Sequence, residues 1–109
     1  MSSSLKYAVF GSGSWATAIV KMLCENLEQV GWYMRNQSVV DYIKENEHNP
    51  NYISSAEFNV NQLYLSSDIN EMVNYADILI FAIPSAFVKA ELDKINLNYV
   101  NIIIFNIVV

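Results

Sequence analysis

The chain has few basic residues, and this shortage limits the partners that it can bind. Its 109 residues include six Lys and Arg against eleven Asp and Glu, so the net charge is −5. Proteins that bind nucleic acid normally carry a run or patch of basic side chains, and this sequence has none. We therefore expect no nucleic-acid partner. Any bound phosphate group would have to be held mainly by backbone N–H groups and a few placed side chains.

Cysteine and histidine are almost absent. Cys24 is the only cysteine and His48 the only histidine. A single cysteine excludes an internal disulfide, and the two residues together cannot build a metal-binding cluster. We interpret Cys24 as a small apolar core residue and His48 as a loop residue at the surface. No metal site is predicted.

Long apolar runs are also missing, although hydrophobic residues make up 53% of the chain. The longest run, at 78–84, is far short of the roughly 20 residues that span a membrane. Residues 1–6 lack the basic and then apolar pattern of a secretory signal. We expect one cytoplasmic domain, covering residues 1–109, that makes no contact with a membrane.

Short apolar runs alternate with segments of helical periodicity. Strands are predicted at 7–10, 29–34, 63–65, 78–83 and 100–109. Helices are predicted at 15–27 and 38–46, from a cap at Ser67 to residue 75, and from a cap at Ser85 to residue 95. Residues 48–62 hold Pro50 and several Asn, which is typical of a loop. The alternation predicts an α/β fold: a Rossmann-type, doubly wound parallel sheet of about five strands in the order 3-2-1-4-5.

The turn after the first predicted strand carries the strongest functional signal. Residues 11–16 read GSGSWA, which fits the pattern G-x-G-x-x-G/A of dinucleotide-binding turns. Gly11 permits the tight turn, Gly13 lets the backbone approach a pyrophosphate closely, and Ala16 keeps the helix near the strand. A helix that begins near Ser14 would point its free N–H groups and positive dipole end at the phosphates.

The end of the second predicted strand bears on the cofactor. An acidic residue there would hold the ribose 2′-hydroxyl of NAD, but the chain reads YMRN at 33–36. Arg35 could clasp the 2′-phosphate of NADP in a bidentate manner, or it could be an ordinary solvated arginine. Trp15 and Tyr52 are candidates for stacking on a cofactor ring, and both could equally be packing residues.

Three segments together resemble the bacterial NAD(P)-dependent glycerol-3-phosphate dehydrogenases. They are the fingerprint at 9–18, the loop HNPNYI at 48–53 and the strand end FAIPS at 81–85. The spacing between them also resembles that of the family, over residues 5–105. The resemblance implies that four residues contact the dinucleotide and that two more lie beside the nicotinamide. The first group is Ser14, Trp15, Arg35 and Tyr52, and the second is Pro84 and Ser85.

The family resemblance also implies an activity. We expect an oxidoreductase that transfers a hydride between NAD or NADP and the pair sn-glycerol 3-phosphate and dihydroxyacetone phosphate, which would supply glycerophospholipid precursors. The cofactor carries that chemistry, while the fold positions it. A non-catalytic nucleotide-sensing module and a related 2-keto or 3-hydroxy acid reductase are the alternatives.

The chain departs from the family pattern after the fifth strand. Family members continue into a lysine-glycine pair and a helical substrate domain, whereas no lysine follows Lys94 here. We expect an N-terminal fragment of a longer enzyme, with the helical substrate domain absent. It would contain no catalytic residue and would be inactive alone. The apolar edge at 100–109 is expected to favour self-association.

Overall fold

Strands and helices alternate along the chain in the computed structural model, which describes residues 5–51, 57–95 and 103–106. The predicted α/β organisation is confirmed. The elements are β1 (Tyr7–Phe10), α1 (Ser14–Cys24), β2 (Val30–Tyr33), α2 (Gln37–Asn46), β3 (Leu63–Ser66), α3 (Ile69–Tyr75), β4 (Ile78–Phe81), α4 (Ser85–Leu92) and β5 (Ile103–Asn106). One 3₁₀ turn, at Val60–Gln62, precedes β3.

The five strands form one parallel sheet in the order β3-β2-β1-β4-β5. This is the predicted order. The strands end level with one another, because the last residue of each strand pairs with the last residue of its neighbour. From edge to edge these residues are Ser66, Tyr33, Phe10, Phe81 and Asn106. The turns that follow the strands therefore meet along one edge of the sheet, with the turn after β1 at its centre.

The core consists of two apolar clusters, one on each face of the sheet. Val9 packs with the buried residues of α1 and α2, whereas Ala8 and Phe10 pack with those of α3 and with Ile95. Successive residues of a strand point to opposite faces, so β1 contributes to both clusters. Burial on both faces is the arrangement expected of a parallel sheet with helices on each side.

Several element boundaries differ from those predicted, and helix α4, for example, ends at Leu92 rather than at residue 95. Helix α1 ends at Cys24 rather than at residue 27, because the N–H groups of Glu25 and Asn26 turn back to the carbonyls of Met22 and Leu23 in a tighter turn. Strand β4 ends at Phe81 rather than at residue 83. The apolar pattern continues past the ends of α1 and β4, so hydrophobicity alone could not locate them.

Both predicted serine caps are wrong. The side chain that caps α3 is Asp68, whose Oδ1 accepts from Asn70 N at 3.0 Å and from Glu71 N at 3.3 Å. A carboxylate satisfies two free N–H groups and also matches the positive end of the helix. Ser67 instead donates its hydroxyl to Gln37. Ser85 is the first residue of α4, which begins without a side-chain cap.

Cys24 and His48 are each partly buried. Cys24 packs against the cluster on the α1 face, as predicted, and burial raises the pKa of its thiol. The His48 ring packs edge-on against Tyr42, with 5.3 Å between ring centres, so His48 is less exposed than predicted. In the described part of the chain no helix is both long enough and apolar enough to span a membrane.

Candidate functional site: a pocket at the carboxyl edge of the sheet

A cavity of about 440 Å³ opens where β1, β2 and β4 end. In a doubly wound sheet, ligands bind at this edge, at the point where the strand order reverses. Here that point lies between β1 and β4. The lining residues come from the turn after β1, the end of β2 and the turn into α4. They are Phe10, Gly11, Ser12, Gly13, Ser14, Trp15, Tyr33, Arg35, Ala82, Ile83, Pro84, Phe87 and Glu91.

The two glycines of the turn after β1 meet different surroundings. Gly11 has φ +136°, and a Cβ there would collide with the Ala82 carbonyl and lie 2.9 Å from Ile83 Cγ2. Both the conformation and the space require glycine. A Cβ on Gly13 would meet no protein atom within 4 Å. Gly11 is therefore needed by the fold, whereas Gly13 leaves open space at the pocket.

Side-chain donors hold three consecutive carbonyls of this turn. The Gly11 carbonyl accepts from Trp32 Nε1 at 2.6 Å and the Ser12 carbonyl from Asn49 Nδ2 at 3.1 Å. The Gly13 carbonyl accepts from Thr17 Oγ1 at 2.7 Å. Because the C=O and N–H of a peptide unit point in opposite directions, the Ser12 and Gly13 carbonyls fix the directions of the next two N–H groups.

Those two N–H groups, of Gly13 and Ser14, have no protein acceptor among the hydrogen bonds of residues 5–51 and 57–95. Gly13 occupies the N-cap position of α1 and brings no capping side chain. The first turn of a helix leaves N–H groups unsatisfied and carries a partial positive charge. This opening of the pocket is therefore suited to an anion.

Aromatic side chains flank the same opening. Trp15 on α1 is 56% exposed and Phe87 on α4 is 55% exposed. Large exposed rings beside a cavity offer flat apolar surfaces to a planar ligand.

A buried carboxylate lies at the far side of the pocket. Glu91 is only 5% exposed and accepts from Tyr33 Oη at 3.0 Å and from Lys94 Nζ at 2.8 Å. Burial, and then the hydrogen bond to Glu91, raise the pKa of Tyr33, while the positive charge of Arg35 acts in the opposite direction. Arg35 itself is exposed at the rim. The pocket thus combines one cation at its rim with one buried anion that already has partners.

Within the described residues no group of three or more His, Cys, Asp and Glu is placed to hold a metal ion. The charged groups of the pocket lining are Arg35 and Glu91, and no lysine is part of that lining.

Comparison with known proteins agrees with this geometry. Residues 6–106 match the family described as NAD-dependent glycerol-3-phosphate dehydrogenase N-terminus. The chain belongs to this family. It corresponds to the NAD-binding domain of these oxidoreductases, so the predicted family and the predicted cofactor, NAD or NADP, are confirmed.

The chain is also similar to individual members of this family. It is 33% identical to a glycerol-3-phosphate dehydrogenase [NAD(P)+] of Staphylococcus aureus over 91 residues, which cover 84% of the chain and 27% of the relative. A solved glycerol-3-phosphate dehydrogenase of Plasmodium falciparum aligns with 94% of the chain at TM-score 0.75 and 25% identity, over 31% of its own length. The yeast enzyme GPD1 shows the same fold at TM-score 0.85 and 20% identity, over 97% of the chain and 34% of its own. The domain thus spans between a quarter and a third of the length of these relatives.

The pocket of the dehydrogenase domain brings together six of the eight residues predicted to bind the cofactor. These are Gly11, Gly13, Ser14, Trp15, Arg35 and Pro84. Ser85 is not among the lining residues, since it lies one position into α4. Tyr52 lies outside the described residues.

Several residues at the site were not predicted from the sequence, and four of them show why. Tyr33 and Glu91 are 58 positions apart, and nothing in the pattern links them. Phe87 lies within the helix predicted after Ser85, and nothing in the pattern of that helix points to a ligand. Asn49 had a signal, because it lies within the loop segment at 48–53 that carries the family resemblance, but its contact with the turn was not foreseen.

Proposed function

We propose that the pocket binds NAD or NADP with the pyrophosphate seated over Gly13 at the start of α1. The observation that carries this proposal is the turn itself. Its carbonyls are held by Trp32, Asn49 and Thr17, while the space beside Gly13 is open. A pyrophosphate needs free N–H donors and close backbone approach, and this turn provides both.

The other cofactor contacts follow from position in the pocket. Ser14 lies at the first turn of α1, and Trp15 offers an exposed ring beside it. Arg35 stands at the rim beyond β2, where it would meet the ribose or its 2′-phosphate. Pro84 and Ser85 begin α4 on the opposite side, where we place the nicotinamide. Tyr52 is retained as a proposed contact on the basis of the resemblance.

The proposed activity is hydride transfer between the cofactor and the pair sn-glycerol 3-phosphate and dihydroxyacetone phosphate. The bound nicotinamide supplies the hydride chemistry, and this domain orients it. The family membership supports the substrate. We propose that residues 1–109 act as the cofactor-binding part of a longer enzyme, because the pocket lining offers no lysine to bind a substrate phosphate. The cytoplasmic location and the self-association through the edge at 100–109 stay predictions.

Fluorescence titration tests cofactor binding directly. Trp15 lines the pocket and the Trp32 indole bonds to the Gly11 carbonyl of the same pocket, so bound NADH or NADPH should quench both tryptophans and receive energy from them. We expect saturable binding that is lost in Gly13→Val, whose added side chain enters the open space. Trp15→Phe should retain cofactor binding, measured by calorimetry, and lose only the Trp15 share of the quenching. Saturable binding that Gly13→Val leaves unchanged would place the dinucleotide elsewhere.

Turnover requires a separate assay. The 109-residue chain, mixed with NADH or NADPH and dihydroxyacetone phosphate, should bind cofactor without oxidising it above the rate of the Gly13→Val variant. Orientation of the substrate supplies about 7–11 kcal/mol of barrier lowering in enzymes, and the one cation among the described lining residues, Arg35, is proposed to meet the cofactor instead. Clear turnover by this chain would show that its own residues complete the active site.

A further inference from the structure

Asn49 is a fully buried polar residue with every donor of its side chain in use. It is 0% exposed. Its amide donates to the Ser12 carbonyl at 3.1 Å and to Thr17 Oγ1 at 3.0 Å, while its Oδ1 accepts from Asn51 N at 2.9 Å. A buried amide is costly unless it is fully hydrogen-bonded. The cost is met here by contacts with the turn after β1 and with α1, which lie 37 and 32 positions earlier in the chain.

These contacts form one relay. Asn49 donates to the Thr17 hydroxyl, and that hydroxyl donates its own proton to the Gly13 carbonyl at 2.7 Å. The second N–H of the Asn49 amide holds the Ser12 carbonyl directly. A single side chain therefore contacts one peptide unit directly and supports a second through Thr17, whose backbone N–H also donates to the Gly13 carbonyl at 3.0 Å. Those units carry the N–H groups of Gly13 and Ser14, which have no protein acceptor among residues 5–51 and 57–95.

We propose that Asn49 is a positioning residue for dinucleotide binding. It fixes the Ser12 and Gly13 carbonyls on the side away from the ligand, so that the N–H groups of Gly13 and Ser14 are presented to the phosphates before the cofactor arrives. The inference rests on the proposed function, because it assumes that the pyrophosphate lies over this turn. Preorganised donors cost less to bring into place on binding.

The relay predicts that substitutions at Asn49 weaken the binding of ligands that carry phosphate groups and leave other ligands unaffected. Asn49→Ala removes the direct bond and the relay, and Thr17→Val removes the relay while keeping the shape of the side chain. We expect each to weaken the binding of NADH and ADP about tenfold, because the two N–H groups would no longer be held in place to donate to the charged phosphates. Adenosine, which has no phosphate, should bind both variants with the same affinity as the wild type. Thr17→Ser keeps the hydroxyl and should restore binding of NADH and ADP.

Asn59 provides the matched control. It is an asparagine in the same segment, 48–62, and its Oδ1 caps the 3₁₀ turn by accepting from Asn61 N at 3.1 Å. Asn59→Ala should leave the binding of all three ligands unchanged. Thermal unfolding of each variant, measured without ligand, separates loss of stability from loss of phosphate binding.

The outcomes are distinct. Equal weakening of ADP and adenosine, or a lowered melting temperature with unchanged ADP binding, would show that Asn49 only anchors the loop. If Asn49→Ala does not fold, the pair Thr17→Val and Thr17→Ser decides, and equal ADP binding by these two variants overturns the inference. Failure of the wild type to bind NADH or ADP would instead refute the proposed function. Binding by the wild type with no loss in the Asn49 and Thr17 variants refutes the positioning role alone.

Discussion

The helices of the described chain begin in two ways. Asn36 caps α2 by accepting from Ser38 N at 2.9 Å, and Asp68 caps α3 with two such bonds. Helices α1 and α4 start at Gly13 and Pro84 with no side-chain cap. All four starts lie at the carboxyl edge of the sheet, but Gly13 and Pro84 line the pocket whereas Asn36 and Asp68 do not.

The difference shows how one edge of the sheet serves both stability and binding. A capped helix start has satisfied its own N–H groups and gains stability from doing so. An uncapped start keeps these donors for a ligand, and the turn before α1 uses its side-chain bonds on carbonyls instead. Substitutions at the two kinds of start should therefore separate stability from cofactor binding.

The largest expected effect is at the turn before α1. Gly11→Ala should cost several kcal/mol of unfolding free energy, because the added Cβ is strained at this φ and meets the backbone of Ala82. Gly13→Ala should leave the fold close to wild type and weaken NADH binding, because its Cβ enters only open space. Urea unfolding and NADH titration of both variants measure the two effects. If Gly13→Ala proved as destabilising as Gly11→Ala, the two glycines would not have separate roles.

A second effect tests the cofactor preference at the rim of the pocket. Arg35 stands where the ribose is proposed to lie, and we expect the wild type to bind NADP at least as well as NAD. Arg35→Asp should shift the preference towards NAD by roughly 10- to 100-fold, because a charge-assisted bond contributes about 1.5–3 kcal/mol. Parallel titrations with both cofactors give the ratio, and Lys44→Asp on α2 controls for net charge. A ratio unchanged by Arg35→Asp would identify Arg35 as a solvated surface residue.

A smaller effect is expected at the capped start of α3. Asp68→Ala should lower the unfolding free energy by about 1 kcal/mol while NADH binding stays at the wild-type level, since Asp68 does not line the pocket. Asn36→Ala should behave similarly at α2. Denaturant melts with and without saturating NADH measure both quantities. A loss of cofactor affinity in Asp68→Ala would mean that the capped starts also serve the site.

The smallest effect is a loss of stability in alkali. A hydrogen bond to Glu71 raises the pKa of Tyr64 beside α3 to about 12, and burial raises that of Tyr33 beneath α4. A folded pKa above the ordinary value near 10 gives stability that is complete below pH 10 and declines as pH rises through the folded pKa. Unfolding measured at pH 8 and at pH 11 should show this decline. Tyr64→Phe should reduce it, and a wild type equally stable at both pH values would contradict it.

The fold could be predicted in detail because its signals are local. Apolar strands and amphipathic helices alternate with regular spacing, and this alternation led to the correct strand order. The same reasoning located the turn after β1, since Gly11, Gly13 and the start of α1 are adjacent in the chain. Element ends were less accurate: Ser67 and Asp68 are both good caps by type, and only the geometry of the turn decides between them.

The rest of the site depends on contacts between distant positions. The Tyr33–Glu91 bond and the Asn49–Ser12 bond join residues 58 and 37 positions apart, and no periodicity encodes such pairs. Glu91 illustrates the difficulty, because a glutamate in a helix is normally exposed, whereas here two donors stabilise it in the interior.

The hydrogen bonds from side chains to the turn after β1 also affect the order of folding. The Gly11 carbonyl accepts a hydrogen bond from Trp32 on β2, and the Ser12 carbonyl accepts one from Asn49 beyond α2. The turn therefore reaches its final shape only after about the first half of the chain has folded together. Contacts between distant positions require closing a long loop of chain and form slowly. The cofactor therefore selects molecules that have completed this assembly. Its binding shifts the population towards them by mass action.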